Sequence, residues 1–358
     1  MTPHDAPQAI ITTIIPTYRR PLLLGRAIRS VLNQTYPHFK VCVYDNASGD
    51  ETAEVVAEIA RNDSRITYFC HKSNVGMANN FIYGMSRIET PFFSFLSDDD
   101  VLLPDFFQTV MQGFQTHPEA IFSAGTTVHI TVQGEILGVP LHRWQKEGLY
   151  NPPEGLLHML GGNHPEWTAI VFRKEIVDKI GLLDKDIGYP MDLDYELQAS
   201  ARFPFVVSKT PCALFVTIDP SFTHTFEDDQ FTQWGFRKMI DKLQKNSFLT
   251  EDMRAHAADK LVAWLRWLFF WNGVQLIKQK KFDTVKTLSD ALTTGLNSRN
   301  KAKLLVALAW LRQYFPPGYS LIIVFNKLRK FFNHGQEQSR LPKELQNQYA
   351  YCSKFLHL

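Results

Sequence analysis

The sequence predicts an α/β protein, a mostly parallel sheet flanked by helices, followed by a helical and basic C-terminal region. Three observations carry that expectation. Strand-like and helix-like segments alternate through the first hundred residues, which is the pattern of a parallel sheet wrapped by helices. Two Asp-bearing loops each follow an apolar strand directly. Beyond residue 230 the pattern turns helical as the balance of charge changes sign.

The elements follow in order. Ala9–Ile15 is a β-branched run ending at Pro16 and reads as a buried strand. Leu22–Leu32 repeats apolar residues at helical spacing, and Lys40–Tyr44 is a short strand that stops at Asp45. Glu51–Ala60 reads as helix, Ile66–Cys70 as strand and Met77–Ile88 as helix. Pro91–Leu96 is a further strand running straight into Asp98, Asp99 and Asp100. Ligands of open parallel sheets bind beyond the carboxyl ends of the strands, so both Asp loops are expected on one edge. From 120 to 220 the pattern is mixed, with strand-like runs at Thr126–Val132, Thr168–Phe172 and Ala213–Thr217 and a helix near Leu193–Ala201.

The 358 residues leave room for about two domains. The expected division is 1–230, in halves of about 1–118 and 119–230, and then 231–358. Residues 1–230 carry 17 Lys/Arg against 28 Asp/Glu, a net of −11, and residues 231–358 carry 21 against 8, a net of +13. A split of this size points to two parts with different partners, or to two halves that pair with each other. The basic part suits an anionic surface. Its apolar stretches Leu261–Ile277, Leu304–Leu311 and Leu321–Phe332 carry Trp264, Trp267 and Trp271 and have Lys/Arg margins. Such helices fit the face of an anionic membrane or an oligomer contact, and no nucleic acid is expected. None reaches the ~20 apolar residues of a spanning helix. The four cysteines show no CxxC pair and no zinc spacing, and Cys42 and Cys70 are expected as buried free thiols. With an N-terminus, MTPHDAPQ, that lacks a basic and then apolar stretch, the expected location is cytoplasmic, peripheral at the inner membrane face if the basic part docks there.

The candidate site residues lie at the strand ends. Three adjacent carboxylates, Asp98–Asp100, repel one another unless a cation neutralises them, and an oxygen-only set selects Mg²⁺ or Mn²⁺ over zinc. Such an ion bridges a diphosphate and improves it as a leaving group. The alternative is a solvated acidic turn leading into a helix at Asp105. Asp45-Asn46-Ala47-Ser48-Gly49-Asp50 has the Asx and Gly content of any turn, yet an Asp here is placed to accept from a nucleobase or ribose. Lys72, Asn74, Gly76 and Asn80 surround the start of the third helix, where a basic side chain and free N–H groups meet phosphate.

Taken as an ordered series, these segments resemble the family-2 glycosyltransferases of the GT-A fold. The series is Ile15-Pro16-Thr17-Tyr18, the Asp45–Asp50 loop, Asn74-Val75-Gly76 with Asn80, and Ser97-Asp98-Asp99-Asp100 followed by Pro104. It covers roughly residues 10–230. The resemblance implies that Pro16, Thr17 and Tyr18 line a nucleotide pocket, that Asp45 binds the base, and that Asp98 to Asp100 hold ribose and metal, with Asp99 the first metal ligand and Asp100 beside it. Ser97 stands where many relatives carry Asp. The resemblance also implies a carboxylate base near the start of a later helix, here Met191-Asp192-Leu193-Asp194. Aligned on Asp-x-acidic-Leu, Asp194 takes that position with Asp192 as the alternative, and the two point about 200° apart on a helix. His224 is placed to complete the metal site and Trp167 to stack on an acceptor sugar. The implied activity is transfer, with inversion, from a nucleotide-diphospho-sugar, UDP favoured, to a hydroxyl of a glycan or lipid-linked acceptor. A sugar-phosphate nucleotidyltransferase and a non-catalytic glycan-binding protein are the other readings. The first calls for a Gly-rich loop after the first strand, which Thr17–Leu24 lacks.

Overall fold

The computed structural model describes residues 9–144, 146–162, 164–218, 229–320 and 343–357. The first seven elements are β1 (Ile11–Thr17), α1 (Pro21–Leu32), β2 (Phe39–Asp45), α2 (Thr52–Ala60), β3 (Ile66–Cys70), α3 (Met77–Ser86) and β4 (Phe92–Phe95). They match the sequence expectation to within two residues at each end, except that β1 runs on through Pro16 to Thr17. Pro16 still sits in register opposite Tyr44, and every residue of β1 is buried. Then come β5 (Val101–Leu102), α4 (Phe106–Thr116), β6 (Phe122–Thr131), β7 (Ile136–Gly138), β8 (Gly148–Tyr150), α5 (Glu154–Met159), β9 (Ile170–Arg173), α6 (Glu175–Ile180), α7 (Met191–Ser200) and β10 (Phe205–Thr217). The described helices after the sheet are α8 (Asp229–Gln244), α9 (Glu251–Lys278), α10 (Phe282–Asp290), α11 (Arg299–Tyr314) and a short one at Lys343–Tyr349.

The strands form one sheet in the order β3-β2-β1-β4-β9-β6-β10-β5, with β7 on β6 and β8 on β10. The ladders β3–β2, β2–β1, β1–β4 and β6–β10 are parallel. β9 inserts antiparallel between β4 and β6, so those two strands run the same way. The carboxyl ends of β1, β2 and β4 therefore share an edge, as the sequence predicts for the two Asp loops.

Close packing fixes α3 over this edge. A Cβ on Gly84 would stand 2.7 Å from Ile14 and 3.0 Å from Tyr44, so only glycine lets the helix lie so near β1 and β2. One core cluster runs from Ile14, Phe95 and Phe172 through Leu193 and Leu197 of α7 into Phe236, Leu261, Leu265 and Leu305 of the later helices. The helical region is thus packed onto the sheet domain through a shared apolar core. Cys42 and Cys70 are free, as expected, but Cys70 is exposed and Cys42 half-buried rather than buried. Cys70 closes β3, the edge strand of the sheet, which leaves it open to solvent, whereas Cys42 lies on β2 between β1 and β3. Among the described residues no helix is long and apolar enough to cross a membrane.

Candidate active site

The shared strand edge opens into a cleft of about 570 Å³, in the usual range for a small-molecule site. Its floor is Pro16, Thr17 and Tyr18 at the end of β1. One wall is Asn46, Asn74 and Asn80, and another is Ser97 to Asp100 after β4. Trp167, Tyr189 and Asp192 close the far side.

The acidic loop is held from two directions. From α1, Ser30 Oγ accepts from the Leu102 N–H at 3.0 Å and Gln34 Nε2 donates to the Leu103 carbonyl at 2.7 Å. Arg26 Nη2 donates to the Asp99 carbonyl at 2.5 Å. From the other side, Asp100 accepts from Thr168 Oγ1 at 2.6 Å and from the Val216 N–H of β10 at 3.0 Å. Both Asp100 oxygens are thus engaged by protein donors. Burial, then repulsion from Asp99, holds its carboxyl well above the usual range.

Asp98 accepts from Thr17 Oγ1 at 2.7 Å and from Arg20 Nη1 at 3.2 Å. Burial pushes its carboxyl up to about 6, against the opposing pull of Thr17 and Arg20. Asp99 takes the other contact of Arg20, at 2.8 Å, and is the most exposed of the three, with 21% of its side chain accessible. Arg20 is therefore the counter-charge of the loop, a role the sequence reading did not assign. The adjacent Arg19-Arg20 pair, directly after a strand that ends opposite three carboxylates, was the available signal.

Among the described residues no group of three His, Cys, Asp or Glu side chains is gathered as a metal site, and His224 lies outside the described residues. The donor set nonetheless fits a hard divalent ion. Mg²⁺ and Mn²⁺ sites commonly use one or two carboxylates and complete their shell with substrate phosphates and water, and Asp99 presents an accessible carboxylate at the cleft. Asp100, buried and doubly bonded, fits better as the anchor of the loop than as a direct ligand.

The nucleotide-side residues divide into two groups. Thr17, Tyr18, Asn74, Asn80 and Asp98 all line the cleft, and Tyr18 stays 38% exposed on its rim. Asn80 also ties α3 to β2, donating to the Tyr44 carbonyl at 2.8 Å. Asp45 is buried, accepting from the Ser48 N–H at 3.0 Å, Ser48 Oγ at 2.6 Å and Tyr68 OH at 2.5 Å. It shapes the loop and is not among the cleft-lining residues. The neighbouring Asn46 lines the cleft instead, and its Oδ1 accepts from the Val75 N–H at 2.8 Å. Lys72 is exposed away from the lining, and Gly76 caps α3 at φ 85°, a conformation that favours glycine.

On the far side the structure separates the two Asp of α7. Asp192 faces the cleft. Asp194 turns to α8, where Lys242 Nζ sits 2.6 Å from its carboxylate, with Gln198 at 3.4 Å. The expected placement of Asp194 in the site thus gives way to Asp192, the 200° separation deciding the matter once α8 is in place. Burial raises the Asp192 carboxyl above its ordinary value, and Glu166 adds to this while His164 opposes it. One turn along α7, Glu196 is fully buried, and burial, then the Asp192 and Glu166 charges, raise its carboxyl well above the usual range. Trp167 lines the cleft but is only 8% exposed and is stacked on Phe95 at 4.5 Å. It is a wall of the site, with one ring face already covered.

Comparison with known proteins bears on this arrangement. Residues 12–181 match the family described as glycosyl transferase family 2. This stretch is a family 2 glycosyltransferase domain. Within it lie the cleft floor, the Asn46 and Asn74 wall and the Asp98–Asp100 loop; Asp192 and α8 to α11 lie beyond it. The chain is 36% identical over 103 residues to a GalNAc(5)-diNAcBac-PP-undecaprenol β-1,3-glucosyltransferase of Campylobacter jejuni, which covers 28% of this chain and 33% of that protein. It is 24% identical over 198 residues to an uncharacterized glycosyltransferase of Haemophilus influenzae, covering 53% and 60%. The chain thus spans between a third and three fifths of the length of these two curated relatives. Among solved structures it resembles S. aureus TarS 1-349 in complex with UDP-GlcNAc, at TM-score 0.63 and 16% identity over 85% of this chain and 91% of that one. It also resembles the mannosyltransferase PcManGT of Pyrobaculum calidifontis in complex with GDP-Man and Mn²⁺, at TM-score 0.53 and 11% identity over 98% and 85%. These likenesses establish the GT-A fold.

Proposed function

We propose that the chain transfers a sugar from a nucleoside-diphosphate-sugar to a hydroxyl of a second molecule, with inversion, and that Asp192 is the base. The observation that carries this reading is the cleft itself. It sets Thr17, Asn46 and the Asp98–Asp100 loop on one side and a desolvated Asp192 on the other. In this reading Tyr18 and Asn46 receive the nucleoside, and Asp98, held by Thr17, takes the ribose hydroxyls. Arg20 orients the diphosphate against Asp99. Mn²⁺ or Mg²⁺ bound at Asp99 would neutralise charge developing on the leaving diphosphate. Asp192 removes the proton from the acceptor hydroxyl. That oxygen forms the new bond to the anomeric carbon as the bond to the diphosphate breaks, its electron pair leaving with the nucleotide.

UDP is the favoured nucleotide, supported by the UDP-GlcNAc complex of the TarS neighbour. A lipid-linked acceptor at the inner face of a membrane is supported by the undecaprenol-linked substrate in the name of the Campylobacter relative. The test is release of nucleoside diphosphate from a panel of UDP-sugars with undecaprenyl-diphosphate-linked sugar as acceptor. Release that needs both the acceptor and Mn²⁺ is expected. Release of a sugar 1-phosphate, with the nucleoside monophosphate passing to the acceptor, would instead indicate nucleotidyl transfer.

A further inference from the structure

The outward face of α11 is apolar where a solvated helix is ordinarily polar. Its inner side is anchored, with Ala302 and Leu305 buried, and the Leu305 side chain fills the space over Gly273 of α9. On another side Val306, Trp310 and Tyr314, spaced four apart and so in one stripe, are 51%, 56% and 66% exposed. The Trp310 and Tyr314 rings lie side by side, 5.8 Å between centroids. Scattered exposed apolar residues are ordinary, whereas a contiguous aromatic and aliphatic face marks a contact surface.

The charge around this face says what the contact is. Residues 260–319 carry ten Lys/Arg against two Asp/Glu. Lys278, Lys280, Lys286, Arg299 and Lys303 are exposed. Arg299 and Lys303 lie one turn apart on α11 and lead into the apolar stripe. A second copy docked symmetrically would set this basic surface against itself, and like charges close together repel. An anionic bilayer matches both features, acyl chains for the aliphatic and aromatic side chains and phosphate headgroups for the cations.

We infer that the outward face of α11, with its Arg299 and Lys303 margin, seats this chain on an anionic membrane surface. The inference rests on the lipid-linked acceptor reading above, and its test is independent of turnover. Trp310 and Tyr314 enter the headgroup–acyl boundary while Arg299 and Lys303 pair with lipid phosphates, so α11 lies in the plane of the interface and does not cross it.

The experiment is co-sedimentation with vesicles of phosphatidylglycerol and phosphatidylcholine, beside vesicles of phosphatidylcholine alone. The protein is expected to bind the anionic vesicles at least about tenfold better, and raising the salt from about 0.1 M to 0.5 M should weaken the binding several-fold through screening. Trp310→Ser with Tyr314→Ser, and separately Arg299→Gln with Lys303→Gln, should each lower the bound fraction about tenfold. These side chains face outward, so unchanged circular dichroism and unchanged metal-dependent binding of UDP are expected in the same samples. Failure of the variants to lose UDP binding therefore leaves the catalytic reading untouched whichever way the vesicles behave. Equal binding to both vesicle types, undiminished binding by both double variants, or no sedimentation together with a dimer in solution would overturn the inference.

Discussion

Asp192→Asn is expected to lower turnover about 10²–10⁴-fold, the usual loss when a general base is removed, with donor affinity changed by no more than a small factor. Asp192 faces the cleft beside Trp167 and Tyr189, and its carboxyl stands above the ordinary range, chiefly through burial. A base works only when deprotonated, so kcat/KM should fall as the pH drops through that raised value, and the fall should vanish in the Asn variant. The groups that set the position of this limb are Glu166, His164, Tyr189 and Glu196, which surround Asp192 from its own helix and from the preceding loops. Asp194→Asn should behave differently. Its carboxylate is spent on Lys242 of α8, so turnover should remain near normal. Stability should fall by no more than about 1 kcal/mol, because burial already raises the Asp194 carboxyl and Lys242 keeps its ion pair with Asp184 at 2.9 Å. Rates and denaturation midpoints of the two variants, measured side by side, check both statements. An inactive Asp194→Asn with an active Asp192→Asn would show that α7 is turned the other way in the working enzyme.

The second large effect is at the acidic loop. Asp99→Asn should abolish metal-dependent nucleotide binding, weakening it by more than the roughly 10–100-fold that an outer-shell partner typically contributes, while the fold survives. Removing one of three adjacent charges relieves repulsion on Asp100, whose buried carboxyl is raised in part by Asp99. The metal-free variant should therefore be at least as stable as the parent. Calorimetric titration of Mn²⁺ with UDP into both proteins reads the binding, and unchanged affinity would remove Asp99 from the metal site. Asp100→Asn is expected to act through the loop. It weakens the contacts to Thr168 and Val216, so a lower denaturation midpoint should accompany any loss of binding.

How much of this was legible beforehand follows from what each signal encodes. Apolar runs of strand length, two of them leading into Asp loops, reveal strands and a strand edge, so β1, β2, β3 and β4 and the shared edge were readable in order. The insertion of β9 between β4 and β6 was not, because strand order depends on long-range pairing that no local pattern records. β10 was seen only as Ala213–Thr217. Its earlier half is interrupted by a register shift between Val207 and Pro211, which breaks the alternation that marks a strand.

The site divides in the same way. Thr17, Asp98 and Asp99 announce themselves by residue type at a strand end. Asp45 and Asn46 are neighbours in one turn, and only the finished loop shows that Asp45 is consumed by Ser48 and Tyr68 while Asn46 meets the cleft. Asp192 and Asp194 share a helix, and the residue that separates their roles, Lys242, lies 48 positions further along the chain. Tyr189, Phe215 and Val216 reach the cleft through tertiary packing alone and carried no signal. The basic helical region was readable as charge and apolar content, whereas the outward turn of Trp310 and Tyr314 required α11 to be packed on α9.

The claim at the centre of this account is that the strand-edge cleft binds a nucleoside diphosphate through a metal ion. The most direct measurement is the denaturation midpoint of the whole chain with UDP, GDP, dTDP and CDP, each with Mn²⁺, with chelator and alone. A ligand present at about 100 times its Kd stabilises the native state by about 2.7 kcal/mol. One nucleoside diphosphate, UDP on the present reading, should therefore raise the midpoint by several degrees with Mn²⁺ and by much less with chelator. No shift with any of the four, or an equal shift with and without the metal, would contradict the account.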